Sequence, residues 1–356
     1  MWGEFSQEGL EALRGLLDRH DYMATAGLPL FRTRRVYPLR DLAHAYGRWR
    51  GSPASLAAVS YPRLASASVS AGALSLRKVF LGHRPLPAGL LSASEEELLT
   101  RAGLLGPEGA MVQVAAAAGL YLLSSIPRRS PGEFVYLGDD TGMLLDQTAD
   151  VSGRRALDMG TGCGAVALSL ARRFAQVVGS DVNPTALALA RSNGRLNRIS
   201  VDFLASDVWQ GVEGSFDFVA ANLPALPISL TPNLAFAAAG ERDPTALTRR
   251  FFERLEEFLE PGGVCRMLTF APVDEQGDRL LREAGERLGT MSMEYRVRDE
   301  MALASPVFRK LRHVLIRVVK DDRRRRVVRF APWWQRLSLP FVSPGAPVQG
   351  LTVARC

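Results

Sequence analysis

Beyond residue 150 the chain switches between two hydrophobic periods. Ala156–Met159, Val177–Val182, Val201–Leu204, Phe216–Ala221 and Val264–Phe270 are short, mostly apolar runs bounded by turn residues, as strands buried on both faces require. Between them, Ala165–Phe174, Thr185–Leu196 and Thr245–Leu259 carry apolar residues at helical spacing. Strand and helix in alternation define βαβ units, so an α/β fold with a parallel, helix-covered sheet is expected.

The first 130 residues pattern differently. Glu8–Arg19 reads as an amphipathic helix, and Ser92–Leu105 as another with Ser92 or Ser94 as its cap. Ala110–Tyr121 is apolar enough for buried strands or a hairpin, while Gly51–Gly72 is rich in Ala and Ser. A smaller, mainly helical, winged-helix-like domain over residues 1–130 is predicted. Pro127-Arg128-Arg129-Ser130-Pro131-Gly132 interrupts both periods and marks the boundary. The main domain then spans residues 131–322 and a C-terminal extension spans 323–356, whose tail Phe330–Cys356 carries two tryptophans and no readable role.

Composition changes this picture little. At 356 residues with 47% apolar content the chain can bury two cores. A net charge of +7 and a pI near 9.7 invite a polyanion, but the excess sits in short clusters such as Arg323–Arg326, which read as solvated loops. Cys163, Cys265 and Cys356 have neither CxxC spacing nor a paired framework, which fits a reducing cytoplasm. The opening Met1–Phe5 lacks the pattern of a secretory signal, and Val114–Leu123 is too short to span a bilayer, so a cytoplasmic protein without a membrane segment is expected. His20, His44, His83 and His313 leave the middle of the chain without histidine, which argues against a Ser-His-Asp triad and against a metal site.

The chemistry concentrates after the first strand. Asp158-Met159-Gly160-Thr161-Gly162-Cys163-Gly164 joins that strand to an Ala/Leu-rich helix, where glycine permits backbone to approach a ligand closely. Asp181 ends the next strand 23 residues on, where a carboxylate can accept both hydroxyls of a ribose. Asn183-Pro184 suits a helix start, Asn as cap and Pro at the first helical position. Asp207, followed by Val208, sits after the third strand, where a side-chain acceptor can meet an adenine amino group. Tyr136, in Phe134–Gly142, can offer an aromatic face to a cation, or pack in the core.

Together, Asp158–Gly164, Asp181, Asp207 and Asn222 resemble the class I S-adenosylmethionine-dependent methyltransferases over about residues 132–320. The likeness is greatest to the release-factor glutamine and rRNA guanine-N2 enzymes, whose fourth strand ends in Asn-Pro-Pro-Tyr or Asn-Pro-Pro-Phe. Here that turn is Asn222-Leu223-Pro224-Ala225, which keeps the Asn and one Pro and lacks the aromatic. The resemblance implies a Rossmann-like, seven-stranded sheet and S-adenosylmethionine as cofactor. It implies cofactor contacts from Asp158, Gly160, Gly162, Gly164, Asp181, Asn183, Asp207, Val208 and Asn222. Asn222, Pro224, Tyr136 and Asp139 become the candidate catalytic residues, with Asp139, Asp140, a tyrosine or water to take a proton.

The expected reaction is methyl transfer to N or O of a small molecule or peptide selected by the front domain. Methylation of rRNA is an alternative that the basic balance favours and the missing aromatic disfavours. A further alternative needs no acceptor: cyclisation of the cofactor to azetidine-2-carboxylate and methylthioadenosine, as in some natural-product pathways.

Overall fold

The computed structural model describes residues 3–27, 69–82, 84–126, 134–224, 243, 245–302 and 310–330. Most of the Ala/Ser stretch, the boundary at Pro127–Gly132, Ala225 and the tail beyond Phe330 lie outside the described residues.

Leu10, Leu13, Leu16 and Leu17 fall on one side of helix α1 (Gln7–Arg19), and the Ser6 hydroxyl caps it by accepting from the Gly9 N–H. Ser70 caps α2 (Ala71–Phe80). Ser92 caps α3 (Ala93–Arg101), where Glu95 reaches back to complete a capping box. Four short strands follow these helices. β1 (Leu105–Gly106) pairs with β2 (Gly109–Ala110), and β3 (Val112–Ala117) with β4 (Leu120–Ser125). The second hairpin turns on Ala118 and Gly119, whose φ values of 50° and 72° match the twist of the strands they join.

Next come α4 (Asp139–Gln147), β5 (Gly153–Met159), α5 (Ala165–Leu170), β6 (Phe174–Asp181), α6 (Pro184–Asn197), β7 (Asp202–Ala205) and β8 (Phe216–Asn222). α7 (Ala246–Phe258) leads into β9 (Leu259–Asp274), β10 (Gly277–Asp278), α8 (Arg279–Arg287), β11 (Ser292–Ala302), β12 (Lys310–Val319) and β13 (Arg326–Phe330). The sheet order is β13-β11-β12-β9-β8-β5-β6-β7, with β10 folded back on β9. β5 to β9 run parallel, while β12 is antiparallel to both β9 and β11. The seven expected strands are present, and two are added. β13, within the stretch read as a C-terminal extension, pairs in parallel with β11 at the sheet edge.

Central strands are apolar on both faces because both are covered. Val219, Ala220 and Ala221 of β8 have no exposure. Leu157, Val219 and Met267 face the α7 and α8 side with Phe251, Phe252 and Leu280, whereas Ala156, Phe218 and Ala220 face α4 and α5 with Leu144 and Val166.

The front elements share a core with the main sheet's helices: Leu13, Leu76 and Leu122 cluster with Cys163, Leu168 and Leu189. Two asparagines one helical turn apart make the junction polar as well. Asn193 of α6, fully buried, accepts from the Leu123 N–H (2.7 Å) and donates to the carbonyls of Leu123 (3.0 Å) and Cys163 (2.8 Å). Asn197 treats Tyr121 alike, at 2.9 and 2.7 Å. The helix thus satisfies the outer edge of β4, since residues i and i+4 on a helix meet residues i and i+2 on a strand.

Asn193→Ala leaves three buried backbone groups without these partners, and denaturant unfolding should show a loss of about 2–4 kcal/mol. Asn197→Ala should lose less, because its half-exposed position admits water.

Candidate active site

The loop after β5 takes its shape from glycines in the left-handed region, φ 70° at Gly160, 55° at Gly162 and 82° at Gly164. At Gly164 a Cβ would lie 3.2 Å from the Ala190 Cα, so close approach to α6 demands glycine there as well. The Thr161 N–H donates to the Ser180 carbonyl at 2.8 Å, tying the loop to the end of β6.

Two carboxylates hold the turn. Asp158 Oδ2 accepts from the Thr161 hydroxyl (2.6 Å) and the Ala167 N–H (3.0 Å). Asp181 accepts from the Gly162 N–H (2.8 Å) with one oxygen and the Asn183 N–H (2.9 Å) with the other. Asp158 is 2% exposed. Burial pushes its carboxyl up to about 6 and the nearby Asp181 charge adds to this, while the bonds from Thr161 and Ala167 oppose it. Asn183 is a helix cap: its Oδ1 accepts from Thr185 (2.8 Å) and Ala186 (3.4 Å) at the start of α6.

Further along the carboxyl edge, Arg250 of α7 donates to Asp207 at 2.7 Å. Val208 is β-branched yet has φ 54° and is buried, a strained backbone of the kind that collects at ligand sites. The Ser206 hydroxyl lies 2.9 Å from the Val208 carbonyl and 2.6 Å from that of Gln210, bracing the turn. At the end of β8, Asn222 Nδ2 donates to Asp140 Oδ2 at 3.0 Å, across 82 residues of chain.

These elements enclose a cavity of about 450 Å³, within the usual range for a small-molecule site. Of the predicted residues, Tyr136, Asp158, Gly160, Gly162, Asp181, Asn183, Asp207, Val208, Asn222 and Pro224 line it. Gly164 does not, since it packs against α6. Asp139 begins α4, but its side chain lies outside the described residues; its neighbour Asp140 is the carboxylate that meets Asn222. Cys163 also lines the cavity, 2% exposed, with burial pushing its thiol up to about 12, so it stays protonated and unreactive. No metal-holding cluster of His, Cys, Asp or Glu occurs among the described residues.

Sequence reading missed Phe270 and His313. They come from β9 and β12, and their rings stack 4.7 Å apart across the cavity wall. They are paired through strand register, which no linear motif records.

S-adenosylmethionine fits this arrangement. Four aspartates line the cavity with no Lys or Arg among its described lining residues, and a buried carboxylate as hard to ionise as Asp158 is stabilised by positive charge, which the cofactor's ammonium and sulfonium carry. The glycine loop gives the adjacent backbone access, and Asp181 and Asp207 would hold the nucleoside.

A family model described as the methyltransferase small domain matches residues 129–284. A protein from Methanocaldococcus jannaschii that carries the name of a protein N5-glutamine methyltransferase is 35% identical over 143 residues, covering 39% of this chain and 73% of that one. The release factor glutamine methyltransferase of Deinococcus radiodurans is 34% identical over 34% of this chain and 47% of its own length. The ribosomal RNA small subunit methyltransferase C of Hahella chejuensis is 30% identical over 37% of this chain, and the match spans 36% of that enzyme. The chain belongs to the class I S-adenosylmethionine-dependent methyltransferases, and uses that cofactor as a transferase. No helix among the described residues is long and apolar enough to cross a membrane.

Two outcomes follow. The Asp158 carboxyl is harder to ionise folded than unfolded, so its contribution to stability is full below about pH 4 and is lost as pH rises through about 6. Asp158→Asn should therefore gain on the wild type in unfolding free energy between pH 4 and 7, by on the order of 2–3 kcal/mol; a difference independent of pH would refute the assignment. Asp181→Ala should weaken S-adenosylmethionine binding by about 1–3 kcal/mol in calorimetry.

Proposed function

We propose that the protein methylates a planar nitrogen on a peptide or protein, with the side-chain amide of glutamine as acceptor. The observation that carries this is the Asn222–Asp140 hydrogen bond. A carboxylate accepts only from the NH₂ end of the Asn222 amide, so Oδ1 is the end that can accept an N–H from an incoming acceptor. When bound, S-adenosylmethionine supplies a methyl group on a positively charged sulfur; the acceptor nitrogen's pair forms the new N–C bond, and the C–S pair stays with sulfur. Asn222 aims the nitrogen, and Asp140 takes the N–H proton released as the methylated amide regains neutrality, passing it to solvent.

The carboxylate lining supports a neutral acceptor over RNA, whose phosphates would meet negative charge at the cavity. The name of the Methanocaldococcus jannaschii relative points the same way. O-methylation draws no comparable support, since a hydroxyl has no plane for Asn222 to fix.

The test is incubation of the pure protein with methyl-labelled S-adenosylmethionine and a glutamine-containing peptide. S-adenosylhomocysteine and a labelled glutamine are expected, with no transfer to the same peptide carrying asparagine. Methylthioadenosine formed without any acceptor would replace methylation with cyclisation of the cofactor, and label entering only RNA would replace the acceptor. Asn222→Ala should keep cofactor affinity and lower kcat by about 100-fold; a variant that turns over at the wild-type rate removes Asn222 from the chemistry.

A further inference from the structure

The sequence Asn222-Leu223-Pro224-Ala225 carries no aromatic residue, yet the cavity has an aromatic corner built from another part of the chain. Phe270 and His313 are direct partners in the antiparallel pairing of β9 and β12. Their rings stack at 4.7 Å between centroids, 18° from parallel, and both line the cavity with Asn222, Asp140 and Pro224.

The sheet fixes where this corner lies. Asn222 is paired with Leu268, and Phe270, two residues on, shares the Leu268 face beyond the end of β8. Leu268 and Leu315 form the next row, buried, with Met143 of α4 packed on them. The stack therefore stands on a packed base. Phe270 and His313 themselves are half-buried, so the pair still presents surface to the cavity.

We propose that the Phe270–His313 stack is the platform on which the planar acceptor amide lies, holding its plane while Asn222 takes its N–H. This rests on the amide-methylation reading above. An amide nitrogen keeps its pair in the π system, perpendicular to the amide plane, so attack requires that plane to be held in one orientation. A flat ring imposes such an orientation, whereas an aliphatic side chain of similar volume does not.

Phe270→Leu keeps apolar volume and removes the flat face. In this variant the KM for the glutamine peptide should rise about three- to tenfold, S-adenosylmethionine affinity by calorimetry should equal that of the wild type, and Phe270→Tyr should restore KM. Saturation-transfer NMR on protein loaded with S-adenosylhomocysteine gives a readout without turnover, using N-acetylglutamine amide and guanosine as probes. Transfer to the amide probe is expected in the wild type, lost in Phe270→Leu and regained in Phe270→Tyr. The platform is overturned if the amide probe receives no transfer in the wild type, if Phe270→Leu matches the wild type in KM and transfer, or if guanosine alone shows transfer that depends on Phe270. A wild type that binds the amide through Phe270 but forms no methylated peptide keeps the platform and loses the reaction. An active wild type indifferent to Phe270→Leu does the reverse.

Discussion

The buried amide of Asn193 is the joint on which the rest of the molecule depends. Its three hydrogen bonds connect the β4 edge, helix α6 and the Cys163 carbonyl inside the glycine loop. An apolar contact tolerates sliding, but an amide with both ends engaged tolerates little, because each displaced bond leaves a buried polar group unsatisfied. The position of the glycine loop is therefore set partly from the front of the chain, through a residue outside the cavity lining.

The same economy appears in the site. Asp158 and Asp181 shape the backbone of the loop before any ligand arrives, which makes the glycines' positions reproducible. Asn183 keeps α6 capped directly beneath, and Arg250 holds Asp207 at the far end. Pre-formed donors and acceptors lower the cost of ordering the site on binding. Val208 carries backbone strain in the cavity lining, and its turn is braced by Ser206.

What was legible in the chain was local. The acid and glycine spacing from Asp158 to Gly164, the second acid at Asp181 and the Asn-Pro helix start encode geometry within a few residues: the glycine turn follows β5, Asp181 ends β6 and Asn183 caps α6. β5, β8 and β9 were legible because central strands covered on both faces carry long apolar runs, whereas β7 is a short edge strand exposed at both ends. β11 was not picked out, although Met293, Tyr295 and Val297 alternate with Glu294 and Arg296 in period two; the charged face of the strand masked a signal that was present. Asp207 read as an adenine acceptor without its partner Arg250, and Asn222 without Asp140, because a pairing across tens of residues leaves no trace in spacing. His313 lies far along the chain from the glycine loop, and strand register returns it to the cavity beside Phe270.

The cavity has walls of separate origin. Its glycine loop and aspartates come from residues 134–224, and its aromatic corner from Phe270 and His313 on two antiparallel strands much later in the chain. On the reading proposed above, chemistry and selectivity are written in different stretches of sequence. A lineage carrying this scaffold can alter these two late strands, and with them one corner of the cavity, while the glycine loop and its aspartates stay under their own selection.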